Sequence, residues 1–510
     1  MLTKSSSSAE MRPDGTLTCA VQPEPGWSNS SSHWIIEGAQ ISRKHLRVYS
    51  VVYDADDPCE VDLLVYAQDL SQNGTFWNGS FIGKGNGGVL LSQDDTLKLA
   101  PNVFLSFQSN RGLDTTNHFD LVQEKEMRTF ADSYTVTDRL LGSGAFGRVF
   151  MAVEQKTRSQ LACKVVDLRR FKQQGSSSDR EKQGSGKLED KLRVYYREVE
   201  ILSSISHPNI ISLENVFVTH NTLQVLSGSL TAAAAYYNRY MFQDLVTAGD
   251  LFSYIESKNG KLLEVEAAVI IRQVSIALCF LHENDIVHRD LKPDNILMTS
   301  LSAGCRIVLT DFGAARRIHS PSSRMLSIVG TDEYAAPEVF GSRKHRQGEK
   351  GYTSAVDMWS LGCVTVVLLT GGSAFNDPET NTYSEQLAKE CDLRLLQQSS
   401  EWQEVRARPA AFVEKLLVLD EDQRMSAQQA RDHEWFSNEI HRTNFHELYQ
   451  RTIKHWKRRS RRTNILEFQD AAATQKRTEA LVKARPASLS RHKNRRKKRT
   501  LLSPSTTCAA

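Results

Sequence analysis

The chain is 510 residues long and poor in the features that mark secreted or membrane-spanning proteins. Its eight cysteines are scattered and none forms a Cys-x-x-Cys pair, so they give neither a metal cluster nor a disulfide framework. A reducing intracellular compartment is the simpler reading. The longest apolar run, Cys363 to Thr370, is too short to span a bilayer and suits a buried helix. The first residues, Met1-Leu2-Thr3-Lys4-Ser5, lack the apolar core of a signal peptide. No membrane partner is expected. A large net charge is missing too: the total is +4 at neutral pH.

That small total hides an asymmetry. From Arg451 to Ala510 there are 18 Lys+Arg against 3 Asp+Glu, a net +15, which leaves −11 on residues 1–450. The densest runs are Arg491-His492-Lys493-Asn494-Arg495-Arg496-Lys497-Lys498-Arg499 and Lys457-Arg458-Arg459-Ser460-Arg461-Arg462. Such runs fit nuclear import, with direct nucleic-acid contact or a solvated tail as the alternatives. A nuclear location is the expectation. The length allows two or three domains, each with its own core.

Three motifs follow one another in order. His288-Arg289-Asp290-Leu291-Lys292-Pro293-Asp294-Asn295 is followed, 21 positions after Asp290, by Asp311-Phe312-Gly313, and then by Ala336-Pro337-Glu338. Upstream, Leu141-Gly142-Ser143-Gly144-Ala145-Phe146-Gly147-Arg148-Val149 has no bulky side chain at its three glycines, so backbone can approach phosphates closely. Alone, that pattern would also fit a dinucleotide-binding unit, but no acidic ribose ligand stands at the required spacing. Instead Leu161-Ala162-Cys163-Lys164-Val165-Val166 places one lysine in an apolar strand, where a cation is costly unless paired. Glu198 is the expected partner and Glu200 the alternative.

This set resembles the protein kinases. Phosphoryl transfer needs positioning and charge neutralisation more than covalent chemistry. The resemblance implies that ATP lies among Leu141, Gly142, Ser143, Gly144, Gly147, Val149, Ala162, Lys164, Gln243 and Asp244. It also implies that Asp290 accepts or orients the substrate hydroxyl proton, that Lys292 neutralises the γ-phosphate, and that Asn295 and Asp311 hold Mg2+. Glu338 is expected to pair with Arg424, and Asp357 to brace the catalytic-loop backbone. Every catalytic position is filled, which argues against an inactive kinase.

Residues 33–107 differ in character. Short β-rich pieces (His33–Ile36, Leu46–Tyr53, Val61–Tyr66, Val103–Phe107) alternate with Gly, Asn and Asp clusters, the spacing of a β-sandwich. Ile41-Ser42-Arg43-Lys44-His45 and Asn73-Gly74-Thr75-Phe76-Trp77-Asn78-Gly79, with Asn73 31 positions after Ser42, resemble the forkhead-associated (FHA) domain, a phosphothreonine-binding module. The resemblance implies that Ser42 and Arg43 contact the phosphate, that Asn73 bonds the peptide backbone, and that His45 and Gly74 are architectural. One departure stands out: where the family has a Gly-Arg pair, this chain has Gly26-Trp27.

The expected fold is thus multidomain, an all-β FHA sandwich followed by an α+β bilobal protein kinase fold and a basic C-terminal tail. The expected boundaries are 1–25 for a poorly matched first segment, 26–110 for the FHA domain, 111–131 for a linker, 132–437 for the kinase domain and 438–510 for a largely disordered tail. An FHA domain ahead of a Ser/Thr kinase resembles the checkpoint-effector kinases of the calmodulin-dependent-kinase group. Within them, the single FHA domain, the lack of a preceding Ser-Gln/Thr-Gln cluster and Gln243 at the gatekeeper position resemble the fungal meiosis-specific branch. The alternatives are a mitotic DNA-damage checkpoint effector and a phosphopeptide-binding scaffold with an idle kinase half.

Further expectations follow. Asp250 and Asp294 would select an arginine three residues before the target Ser/Thr. Ser327 and Thr331 would be the activation-loop positions. Self-association would favour trans-autophosphorylation at Ser327, and a phosphothreonine-containing adaptor would bind the FHA module. Gln173 to Asp190, rich in Ser and Gly, reads as a surface loop. Leu223 to Arg239 interrupts a hairpin with a semi-apolar stretch that has no core to join, as translation of an unspliced intron would produce. The same cause would explain the first 25 residues.

Overall fold

The computed structural model describes residues 40–51, 64–108, 118–144, 147–167, 181–222, 238–318, 332–341, 353–377, 382–458 and 463–469, with Ile36, Thr380 and the strand pieces Ala9–Met11, Thr16–Ala20 and Ala235–Tyr236. Ser327, Thr331, Gly26, Trp27 and the Arg491–Arg499 run lie outside the described residues.

The first module is a two-sheet sandwich. One sheet runs in the order β1 (Ala9–Met11), β2 (Thr16–Ala20), β9 (Val103–Gln108), β8 (Thr96–Ala100), β5 (Phe76–Trp77), β6 (Ser80–Phe81). The other is β3 (Leu46–Val51), β4 (Leu64–Asp69), β7 (Gly88–Leu90). Alternate residues fill its core: Val65 and Ala67 from β4 meet Trp77, Leu97, Leu99 and Leu105 from the opposite sheet. Asn78 and Gly79 both take positive φ (47° and 83°), as a two-residue turn between β5 and β6 requires. The segment 1–25, read in the sequence as a poorly matched first segment, contributes β1 and β2, and β2 pairs in parallel with β9 from Thr16↔Phe104 to Ala20↔Gln108. Nonlocal pairing of this kind leaves no local signal.

The kinase domain begins earlier than its motifs. Residues 118–131, expected as linker, carry helix α1 (Leu121–Met127), whose N-cap Asp120 forms a capping box with Gln123. Buried Glu126 accepts bonds from Asn238 and Tyr240, and Phe119 and Phe130 cover the outer face of the N-lobe sheet. That sheet has the order β10 (Tyr134–Gly144), β11 (Gly147–Glu154), β12 (Gln160–Asp167), β15 (Asn238–Asp244), β13 (Leu213–Thr222), β14 (Ala235–Tyr236), with helix α2 (Glu181–Ser204) against it. The 173–190 stretch was expected as loop, but from Glu181 onward it is the first part of α2: propagation of a helix already nucleated by a packed face adds one hydrogen bond per residue. The end of the 223–239 stretch is likewise structural. Asn238 and Arg239 belong to β15, and Arg239 is buried with its guanidinium 4.5 Å from the Tyr196 ring centroid.

The C-lobe is helical. It contains α3 (Leu251–Glu256), α4 (Glu264–Glu283), α5 (Pro337–Gly341) and α6 (Ala355–Thr370), and α4 packs on α6. The Cys363–Thr370 run lies in α6 and is mostly buried. Among the described residues α4 is the one helix long and apolar enough to cross a membrane, yet it forms the centre of the C-lobe core. The tail, expected as largely disordered, carries a helix at Arg442–Ile453 and a strand at Asn464–Gln469 that pairs in parallel with β13. The open edge of β13 supplies the unpaired backbone groups that order this strand.

Candidate active site

The strand lysine is built into the middle of the N-lobe sheet. Lys164 of β12 stands beside Val149 of β11 and Met241 of β15. Its Nζ lies 2.9 and 3.0 Å from the two carboxylate oxygens of Glu198, a buried residue of α2, while Glu200 faces outward, which settles the choice between the two glutamates. Asp311 Oδ1 stands 4.0 Å from the same ammonium. Burial opposes both charges. For Lys164 the carboxylates of Glu198 and Asp311 outweigh it and raise the pKa; for Glu198 burial prevails and holds the carboxyl above its ordinary value despite Lys164.

The glycine-rich turn spans the ends of β10 and β11, with Gly142↔Val149, Ser143↔Arg148 and Gly144↔Gly147 in register. Ala145 and Phe146 lie outside the described residues. Gly147 has φ +150°, and a Cβ there would lie 2.5 Å from the Val165 carbonyl oxygen, so only glycine fits. Beneath the turn, Ala162 pairs with Gln243 and Leu161 with Asp244. Leu141 and Gln243 are buried; Val149 and Ala162 remain partly exposed.

The catalytic loop is held from behind. Asp357, at the start of α6, is fully buried and accepts the His288 N–H at 2.9 Å, the Arg289 N–H at 2.8 Å and His282 Nε2 at 2.9 Å. Burial would raise its pKa, but the hydrogen bond and charge of His282, with His288 and Arg289, hold it below the ordinary value. Arg289 adopts φ +72°, a left-handed backbone that an arginine takes only under restraint. His288 Nε2 lies 3.0 Å from the Thr310 carbonyl, and its ring packs edge-on to Phe312, 4.9 Å away, which links this loop to Asp311-Phe312-Gly313. Asn295 Nδ2 donates to the Asp290 carbonyl (2.7 Å) and Oδ2 (3.0 Å), and Lys292 Nζ is 3.8 Å from Asp290. With the amide N–H engaged, the Asn295 side chain presents its carbonyl oxygen as the remaining donor atom for a cation.

Other expected residues are placed as follows. Glu338 meets Arg424 at 2.7 Å; the Arg424 side chain is fully buried and also bonds the carbonyls of Ala355 and Val418. Asp250 caps α3, accepting the Ser253 N–H at 2.7 Å, and burial raises its pKa, with exposed Asp294 near enough to add to the effect. Asp250 is thus engaged by Ser253 as the cap of α3, and the charge of Asp294 is felt there. A cationic group also emerges: burial lowers the Arg197 guanidinium, and the nearby Arg316 and Arg193 lower it further. The sequence reading missed this group. Its one signal is that Arg197 immediately precedes Glu198.

In the sandwich, the two loops meet. The Gln72 N–H donates to Ser42 Oγ (3.1 Å), the Ser42 N–H to His45 Nδ1 (3.0 Å), and Asn73 Nδ2 to the Gln40 carbonyl (3.3 Å). Arg43 and Asn73 are exposed beside one another's loops, whereas His45 is buried and burial lowers its pKa. Asp69, unremarked in the sequence, accepts from the Ser71 and Thr75 N–H groups and the Thr75 hydroxyl, and so sets the loop that carries Asn73.

The comparisons with known proteins agree with this geometry. The protein kinase domain family matches residues 135–436 and the FHA domain family residues 26–100. The meiosis-specific serine/threonine-protein kinase mek1 of Schizosaccharomyces pombe is 34% identical over 434 residues, covering 84% of each chain. Meiosis-specific serine/threonine-protein kinase MEK1 of Saccharomyces cerevisiae is 30% identical over 457 residues, 84% of this chain and 82% of the relative. Serine/threonine-protein kinase cds1 of S. pombe is 27% identical over 422 residues, 81% of this chain and 82% of the relative. A strand lysine paired to a helix glutamate, a braced Asp290 loop and a second, FHA module thus belong to one lineage: this chain is a member of the protein kinase family, a serine/threonine protein kinase with an FHA module related at moderate identity to the fungal meiosis-specific kinases.

Proposed function

We propose that this kinase acts in the nucleus in a meiotic recombination and DNA-damage checkpoint, phosphorylating Ser/Thr that follow an arginine at the third position upstream. The observation that carries the meiotic reading is likeness across both modules to two relatives named as meiosis-specific kinases, each covering 84% of this chain. In this reading ATP sits under the glycine turn with Lys164, held by Glu198, against its phosphates. Asp290 takes or orients the substrate hydroxyl proton, and Lys292 offsets the γ-phosphate charge. Asn295 and Asp311 supply two oxygen ligands, the small donor set that Mg2+ uses when phosphates complete its shell. That ion, when bound, neutralises charge on the phosphates. Asp294 and the uncapped oxygen of Asp250 receive the substrate guanidinium.

The FHA loops, through Ser42, Arg43 and Asn73, bind a phosphothreonine adaptor that concentrates copies of the chain. Ser327 is then phosphorylated in trans, and Arg289, with the Arg193–Arg197–Arg316 group, offers cations for that phosphate. The test is a peptide-library assay with purified full-length protein, ATP and Mg2+, and Asp290→Asn as the control. Selection of Arg three residues before the target is expected, with activity lost on chelation of Mg2+. In the native host an Asp290→Asn allele should alter meiotic recombination and spare vegetative growth under DNA damage. Equal vegetative sensitivity would overturn the meiotic assignment, and no Arg selection would overturn the substrate assignment.

A further inference from the structure

The central strand of the β3-β4-β7 sheet is buried on both faces. A strand with one face in a core and one in water shows alternating burial, yet all six residues of β4 are buried. Val65 and Ala67 point into the sandwich. Leu64 and Tyr66 point the other way and form one apolar cluster with Val51, Leu90 and the kinase residues Leu141 and Met151.

Polar contacts extend this surface over three parts of the kinase domain. On the N-lobe, the Gln160 side chain accepts the Leu90 N–H (2.7 Å) and donates to the Leu90 carbonyl (2.8 Å), and Arg139 donates to the Leu91 carbonyl (3.2 Å). At the segment joining the lobes, the Tyr49 hydroxyl donates to the Thr247 carbonyl (3.1 Å) and the Gly88 N–H to Thr247 Oγ1 (2.9 Å). On the C-lobe, Gln68 donates to Ser300 (2.9 Å) and Arg47 to Ser302 (3.3 Å).

The contact reaches the edge of the nucleotide site: Leu141 belongs to the cluster, and Val149, Ala162 and Leu245 pack against it while keeping partial exposure. The Lys164–Glu198 pair is formed. Arg43, Gln72 and Asn73 are exposed at the far end of the β3–β4 hairpin. We propose that the outer face of β3-β4-β7 is a docking surface for the kinase domain of the same chain, a brace across the hinge that holds the two lobes in the catalytically assembled arrangement. Opening of the cleft then requires that a sheet bonded to both lobes slip, and a phosphopeptide on the sandwich is rigidly tied to the active site.

The test uses the full chain with Met151→Asp, which sets a carboxylate against the apolar cluster, and Gln160→Ala, which removes both bonds to Leu90 and keeps its strand backbone. Amide hydrogen exchange is followed at residues 64–68, 88–90 and 245–249, beside kcat/KM for ATP. Met151→Asp should speed exchange there about tenfold, the change expected for loss of one well-made contact, and lower kcat/KM about fivefold by loosening preorganisation. Exchange across β8 and β9 should stay as in the parent. Gln160→Ala should move both readouts in the same direction by less, and serves if Met151→Asp fails to fold. Unchanged exchange in both variants overturns the docking, and higher activity overturns the brace in favour of an inhibitory contact. Protection that is lost on dilution of the parent protein overturns the same-chain partner in favour of a second copy.

Discussion

Replacing Asp357 by Asn tests how the catalytic loop is aimed. The carboxylate accepts two backbone N–H groups and His282 within a fully buried pocket. Asn keeps the shape but has one acceptor oxygen, and its NH2 faces a donor. One buried N–H is then unsatisfied, at about 1–3 kcal/mol, and the remaining bonds lose their charge assistance, about 1 kcal/mol more. A total of about 2–4 kcal/mol corresponds, at roughly 2–4 °C per kcal/mol for a domain of this size, to a fall in Tm of about 5–15 °C. The kinetic effect is separable. The Arg289 N–H bond restrains a left-handed backbone that ordinarily costs about 1–3 kcal/mol, and its release shifts Asp290. A displacement near 1 Å lowers kcat about 100-fold. The KM for ATP should change little, because Lys164 and Glu198 hold each other without Asp357. Differential scanning calorimetry and steady-state peptide phosphorylation read the two effects. A Tm and a kcat both indistinguishable from those of the parent would refute the bracing argument. The pH dependence follows the depressed pKa: this contribution is complete above the ordinary value of 3.8 and is lost as pH falls through the lower folded value.

The Lys164–Glu198 pair sets the acid limb of the activity profile. Because burial raises the Glu198 pKa above its ordinary 4.5, the pair breaks by protonation as pH falls through that raised value, and Glu198→Gln should abolish the limb and lower kcat/KM for ATP at least about tenfold; an unshifted limb in the variant would refute the assignment. Glu338→Ala leaves the Arg424 charge buried and should destabilise the C-lobe by about 3–5 kcal/mol in chemical denaturation, with Arg424→Met restoring part of the loss. Trp27→Arg supplies the guanidinium that indole lacks and should tighten phosphothreonine-peptide binding by about tenfold in titration calorimetry; equal affinities would mean another cation fills the site. Deleting residues 223–234 while keeping Asn238 and Arg239 in β15 should raise Tm and preserve activity; lost activity without better folding would make the stretch a functional element.

The sequence by itself determined the chemistry and the two modules. Asp290, Asn295, Asp311, Lys164 and the glycine turn are fixed in type and order because their chemistry tolerates few substitutes. A carboxylate partner for Lys164 is implied by the strand it sits in, since a cation among apolar neighbours needs one. Which glutamate it meets depended on the helical face that α2 turns inward, and there Glu198 is buried and Glu200 is not. What the sequence did not show concerns segments whose order comes from distant partners. β2 is held by β9, the linker helix by Asn238 and Tyr240 through Glu126, and the tail strand by the edge of β13. None of these partners is local, so no short-range pattern announces them. The doubly buried β4 lies between the two cases. Its unbroken Leu64-Val65-Tyr66-Ala67 stands in the sequence, and the structure covers both of its faces. That the second cover is the kinase domain, across the hinge, is decided by the tertiary structure alone, because backbone period specifies which side chains share a face and only packing specifies what that face meets.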